Sequence, residues 1–169
     1  MVKNLSYHSD LFSFKIGQTR KITMINIQFF TPFVNTSEIP STLNFLKSEY
    51  PSVLLTTCFN DKNLPFIVEV NATEIGHLFE HILIDELCFL KIKHGAESAI
   101  YNGNTSWNWK INPYGSFQIR IDIGKKDLPI LVEGLKKTIY LTNKLIRTEV
   151  KFPDQHPYDL LYGQNQLKI

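Results

Sequence analysis

Within residues 76–87, GHLFEHILIDEL, the side chains of His77, Glu80 and His81 form H-x-x-E-H, the inverted form of the zinc-hydrolase motif. Residues four apart on a helix stack one turn above another. The two imidazoles can therefore converge on one Zn²⁺ while Glu80 stands beside them as a base for metal-bound water. At 100° per residue, His81 lies about 40° and Glu80 about 60° from His77 on opposite sides, so all three share one face. Ile75, Leu78, Phe79, Ile82, Leu83, Phe89 and Leu90 occupy the other faces and mark a core helix. Burying two imidazoles and a carboxylate there costs on the order of several kcal/mol unless they are paired or bind a metal.

Catalytic zinc normally takes three protein ligands and keeps one position for water, so a third ligand is expected from another element. The first candidate is Glu133, in the otherwise apolar ILVEGL of a later helix, and Asp122 on the preceding strand is the second. Asp85 continues the i, i+4, i+8 series, but at roughly 12 Å along the axis from His77 it is placed to orient the ring of His81 rather than to ligate. Cys88 falls on the metal face two turns past His81, and both it and Cys58 read as buried thiols. Trp107, Trp109, Tyr114 and Arg120 are candidates to line a substrate groove.

These residues need a frame, and the chain is long enough to supply one. At 169 residues, 43% hydrophobic and with 12 phenylalanines, it can bury the core of one ordinary domain, spanning 1–169. Periodicity predicts strands at 22–30, 53–58, 65–70, 98–101, 105–112 and 116–123, a short helix at 37–48, and long helices at 72–94 and 127–150. The first long helix is expected to be capped at Asn71. This is an α+β fold, with an antiparallel sheet layer packed against two long helices. Its core is expected at about residues 21–151, with residues 1–20 and 152–169 as peripheral arms.

Several function classes fall away. A net charge of +2 is too small for a dedicated nucleic-acid binder, and the lysines around 125–151 fit the solvated side of an amphipathic helix. No apolar run reaches the roughly 20 residues of a membrane span, and residues 1–10 lack a signal-peptide core. The expected compartment is cytoplasmic, with no membrane or nucleic-acid partner, and a homo-oligomer is left open. Two cysteines without C-x-x-C spacing exclude a disulfide framework and a cysteine-rich zinc site.

The run TEIGHLFEHILIDEL, residues 73–87, resembles the motif helix in the N-terminal domain of cyanophycin synthetases. There a similar H-x-x-E-H precedes an aliphatic stretch and a carboxylate matching Asp85, usually a glutamate. Residues 117–145 look like the continuation of that domain. More distantly the pattern is similar to pitrilysin-type peptidases and S-ribosylhomocysteinase, which implies a metallohydrolase fold of that type. The resemblance further implies a domain that binds an aspartate–arginine polymer and, in some members, acts as a metallopeptidase. No G-x-x-x-x-G-K-[ST] phosphate loop is present, so polymer synthesis is not expected of this chain.

Two functions follow as expectations. One is a zinc-dependent peptidase or amidase acting on a peptide or polyamide, with Glu80 as base. The other is a non-catalytic peptide- or polymer-binding or accessory domain whose metal is structural or missing.

Overall fold

The computed structural model describes residues 5–59, 63–149 and 166–168. Apolar and polar residues alternate from the start of this chain. Leu5–His8 (β1) turns Leu5 and Tyr7 inward, and Phe12–Gln18 (β2) turns in Phe12, Phe14 and Ile16. Thr23–Phe29 (β3) and Ser116–Ile121 (β5) bury Ile25, Ile27, Phe29, Phe117, Ile119 and Ile121 on the same side. With Gly103–Ser106 (β4) and Gln166–Lys168 (β6), these strands form an antiparallel sheet ordered β4-β5-β3-β2-β1-β6.

The peripheral N-terminal arm expected at residues 1–20 is thereby corrected, since β1 and β2 lie inside the sheet and contribute to its core. In FSFKI the polar residues are the solvent side of a half-buried strand, not loop composition. Of the expected C-terminal arm, Gln166–Lys168 pairs antiparallel with β1. Residues 150–165 and 169 lie outside the described residues.

Two long helices cover the apolar face of the sheet, as the periodicity predicts: Ile75–Lys93 (α3) and Leu128–Glu149 (α4). Phe79 of α3 meets Phe12 and Phe14 edge-on at 6.1 and 6.2 Å. A Cβ on Gly76 would overlap the Phe117 ring, so glycine lets the start of α3 approach β5 closely. Against α4, Gly134 faces Leu87 and Leu83, and Asn143 donates to the Tyr7 hydroxyl at 2.9 Å. The α+β class is as expected. No helix among the described residues is long and apolar enough to cross a membrane.

The strands expected at 53–58 and 65–70 are replaced by a 3-10 turn at Pro51–Leu55 and a one-turn helix, Phe66–Glu69 (α2). Proline precedes or opens each, favouring helical φ from the first residue. The chain still reverses between them: Thr57 bridges Pro65, and Asn63 takes the left-handed φ of 48° that such a reversal needs. The expected short helix divides into a 3-10 turn at Thr36–Glu38, closed by an Asn35/Glu38 capping box, and Thr42–Glu49 (α1). Of the expected meander, residues 98–101 form no strand and β4 ends at Ser106. Gly103 lies within β4, where a Cβ would strike the Glu80 carboxylate.

Candidate metal centre

The start of α3 is held from outside. Segment 34–36 runs beside 73–75, with Thr36 N donating to Thr73 O at 2.7 Å and Ile75 N to Val34 O at 2.8 Å. The cap residue is Glu74, not Asn71, and it makes no side-chain cap bond. Thr73 is instead clamped by the Thr36 hydroxyl, which receives Thr73 N at 2.9 Å. Its own hydroxyl lies 2.7 Å from His77 Nδ1.

One turn later the Thr56 hydroxyl lies 2.9 Å from His81 Nδ1. Thr56 gives its only hydroxyl proton to Val53 O at 2.7 Å, so it must accept from the imidazole. That assignment places the ring proton of His81 on Nδ1 and leaves Nε2 with a bare lone pair, the form in which histidine ligates a metal. Phe66 of α2, fully buried, stacks on His81 with ring centroids 4.0 Å apart and meets His77 edge-on. Hydroxyl and aromatic ring together fix both orientations of the His81 imidazole.

The third member of the cluster is Cys58. Its Sγ lies 3.2 Å from His81 Nε2 and 3.9 Å from His77 Nε2, and the two Nε2 atoms are 3.1 Å apart. All three atoms lie within 4.8 Å of one another, a set that could hold a metal ion. Read from sequence as a plain buried thiol, Cys58 is 2% exposed, yet the reversal aims it at the histidines. Cys58 N donates to Leu64 O, and Phe66 N to Thr56 O, so the returning chain seats Cys58 and Phe66 against the same helical turn. The one available signal was position: the turn-rich residues 59–64 follow Cys58 directly and lead back towards the motif helix.

Glu80 is 5% exposed and accepts a hydrogen bond from Thr105 of β4. Burial pushes its carboxyl up to about 7. Burial also lowers the proton affinity of His77. It brings His81 down to about 3, helped by neighbouring His77. The Cys58 thiol rises to about 12 through burial, with Glu69 and Glu80 adding to the effect. At neutral pH the pocket thus presents neutral imidazoles and a protonated thiol. Cys58, the two histidines and the Glu80 carboxylate share the wall of one cleft of about 620 Å³, which also reaches Phe59, Glu74, Tyr101 and Trp107.

Comparison with family models, curated proteins and solved structures gives no match.

The other expected site residues lie elsewhere. Glu133 does not join the ligands: it sits 3.4 Å from His94 Nε2 and 3.7 Å from Lys93 Nζ, half-exposed. His94 and His77 are about 25 Å apart along the helix axis at 1.5 Å per residue, so Glu133 serves the wrong end of α3. Both Asp122 oxygens are taken by Asn102, through its backbone N at 2.7 Å and its Nδ2 at 2.9 Å. Asp85 accepts from the Ser52 hydroxyl at 2.6 Å, and the expected contact to His81 is made by Thr56 instead. Cys88 stands outside the cluster. Of the groove candidates Trp107 lines the cleft, whereas Trp109, Tyr114 and Arg120 do not.

Proposed function

We propose that this chain is a zinc-dependent hydrolase of peptide or amide bonds, with Cys58, His77 and His81 as ligands and Glu80 as base. The observation that carries the reading is the convergence of three ligand atoms on a cleft that also holds a buried carboxyl titrating near neutrality. A tetrahedral zinc with Zn–N of 2.0–2.1 Å and Zn–S of 2.3 Å needs its ligand atoms about 3.3 Å (N to N) and about 3.6 Å (N to S) apart. The observed 3.2 and 3.9 Å to sulphur bracket the second value, and the 3.1 Å between nitrogens is about 0.2 Å short of the first. Soft thiolate with imidazole also suits zinc over magnesium or calcium.

Bound zinc would supply a water of lowered pKa and polarise the substrate carbonyl. Glu80, buried in the wall of the same cleft, would take up the proton as a water oxygen adds to the carbonyl carbon and would return it to the amine as the C–N bond breaks. The resemblance to the cyanophycin synthetase N-terminal domain, and more distantly to the S-ribosylhomocysteinase and pitrilysin type, is carried in this proposal on the H-x-x-E-H residues alone.

The test is metal content by mass spectrometry on untagged protein beside His77→Ala, His81→Ala and Cys58→Ser. About one zinc per chain, lost in all three variants, is expected of a three-ligand site. Turnover of a peptide library should then vanish in Glu80→Gln with the metal retained. Failure to hold zinc even after incubation with it would sink the hydrolase reading and leave a non-catalytic binding domain with a self-satisfied polar cluster.

A further inference from the structure

Beside the metal cleft lies a second concavity of about 480 Å³ on the solvent side of the sheet, lined by Asn26, Gln28, Trp107, Asn108, Asn112 and Gln118 among others. Trp107 is common to both, and β4 is the wall between them: Asn102–Thr105 line the cleft, Ser106 and Asn108 the groove. We propose that this groove is the binding subsite for an uncharged stretch of extended polypeptide whose neighbouring residues enter the metal cleft. The proposal takes its ligand class from the hydrolase reading above, and its test is arranged to stand apart from metal and turnover.

Four observations carry it. Among the described residues no ionisable side chain lines the groove, whereas the cleft holds Glu69, Glu74 and Glu80. The carboxamides are set in place by internal bonds. Gln118 Nε2 donates to Asn26 Oδ1 at 3.2 Å across the β3–β5 pair, which leaves Gln118 Oε1 as an acceptor and Asn26 Nδ2 as a donor. Gln28 spends both Nε2 protons on Phe29 O and Tyr114 O, leaving Oε1 to accept. Asn108 Oδ1 receives Lys110 N, leaving Nδ2 to donate. Adjacent fixed donors and acceptors match the C=O and N–H of a peptide backbone, and groups already held lose little freedom on binding.

The third observation is Trp107, 41% exposed at the mouth of both concavities. Its ring lies 5.8 Å from Phe117 and 6.2 Å from Trp109, which fixes its plane. Rigid exposed aromatic surface of this kind anchors bound chains at little entropic cost. The fourth is position: among the described residues β4 ends the sheet and pairs with β5 alone. The free edge of a strand offers alternating N–H and C=O groups that an extended polypeptide matches and a glycan does not.

The experiment titrates Glu80→Gln protein with an N-acetylated, C-amidated hexapeptide of alternating alanine and serine, read by calorimetry. Saturable binding is expected, weakened about tenfold or more by Trp107→Ala and by Gln118→Glu. Both side chains lie on the surface, so neither variant threatens the fold. Chelator-treated protein should bind within about threefold of the zinc-loaded form, so loss of the zinc reading would leave this one standing, and Glu133→Ala, away from both concavities, serves as the unaltered control. A peptide with lysine or aspartate at its third position should bind more weakly. Absence of binding, or binding indifferent to both groove variants, overturns the proposal. Saturation by an uncharged oligosaccharide such as cellohexaose, with none by the peptide, overturns it as well and reassigns the groove to a glycan.

Discussion

The two ends of α3 carry similar side chains and do different things with them. At the C-terminal end Lys93 pairs with Glu133 and His94 Nε2 lies 3.4 Å from the same carboxylate, all about half-exposed, contacts worth about 0–1 kcal/mol in water. At the N-terminal end His77, His81 and Glu80 are shielded, each imidazole has its Nδ1 held by a threonine hydroxyl, and a cysteine faces both Nε2 atoms. Residue type is therefore a weak guide to chemistry. Burial, together with the partner on the far side of each ring, separates a ligand from a solvated charge.

That contrast can be broken most forcefully at the ligands. Cys58→Ser and His81→Ala should each abolish stoichiometric zinc and any zinc-dependent rise in melting temperature, read by metal analysis and differential scanning calorimetry. A variant that kept its metal would show that the cluster is not the site. Next in size is Glu80→Gln. The folded carboxyl titrates at about 7 against an ordinary 4.5, so its favourable contribution is full below about 4.5 and is lost as pH rises through 7. Metal-free Glu80→Gln should thus melt several degrees above the metal-free parent at pH 8 and no higher at pH 4.5. Equal melting at both would show that Glu80 is not held neutral by burial.

A smaller effect is expected at the Nδ1 partner. Thr56→Val keeps the volume but removes the acceptor for His81, and competition with a chelating dye should show zinc affinity weakened about 10- to 100-fold. An unchanged affinity would mean that Thr56 does not orient the ring. The smallest is at the other end of the helix, where Glu133→Ala should leave zinc content and turnover unchanged and stability within about 0.5 kcal/mol of the parent. Loss of zinc there would restore Glu133 as a ligand and dissolve the distinction between the two ends.

How much of this could be read beforehand depended on how local each signal was. Both long helices repeat their apolar residues every three to four positions, and β3 and β5 alternate cleanly, so those elements were legible. β1 and β2 were not, because Ser6, Ser13 and Lys15 look like loop composition until a neighbouring strand shows them to be the solvent face. The motif residues were legible for the same reason as the helix that carries them. A helical wheel, however, gives the face a side chain occupies and says nothing of which end of the helix a residue from another element will meet. Glu133 was misassigned for that reason. Cys58 is invisible to a periodic reading because it meets the histidines through the long-range Thr57–Pro65 bridge, with no regular spacing to announce it.

The ligand set is tested most directly by zinc-edge X-ray absorption on the zinc-loaded chain beside Cys58→Ser. One sulphur at about 2.3 Å with nitrogen or oxygen at about 2.0–2.1 Å, the sulphur vanishing in the variant, is the expected spectrum. A first shell of nitrogen and oxygen alone in the parent chain would remove Cys58 from the site and contradict the proposed ligand set.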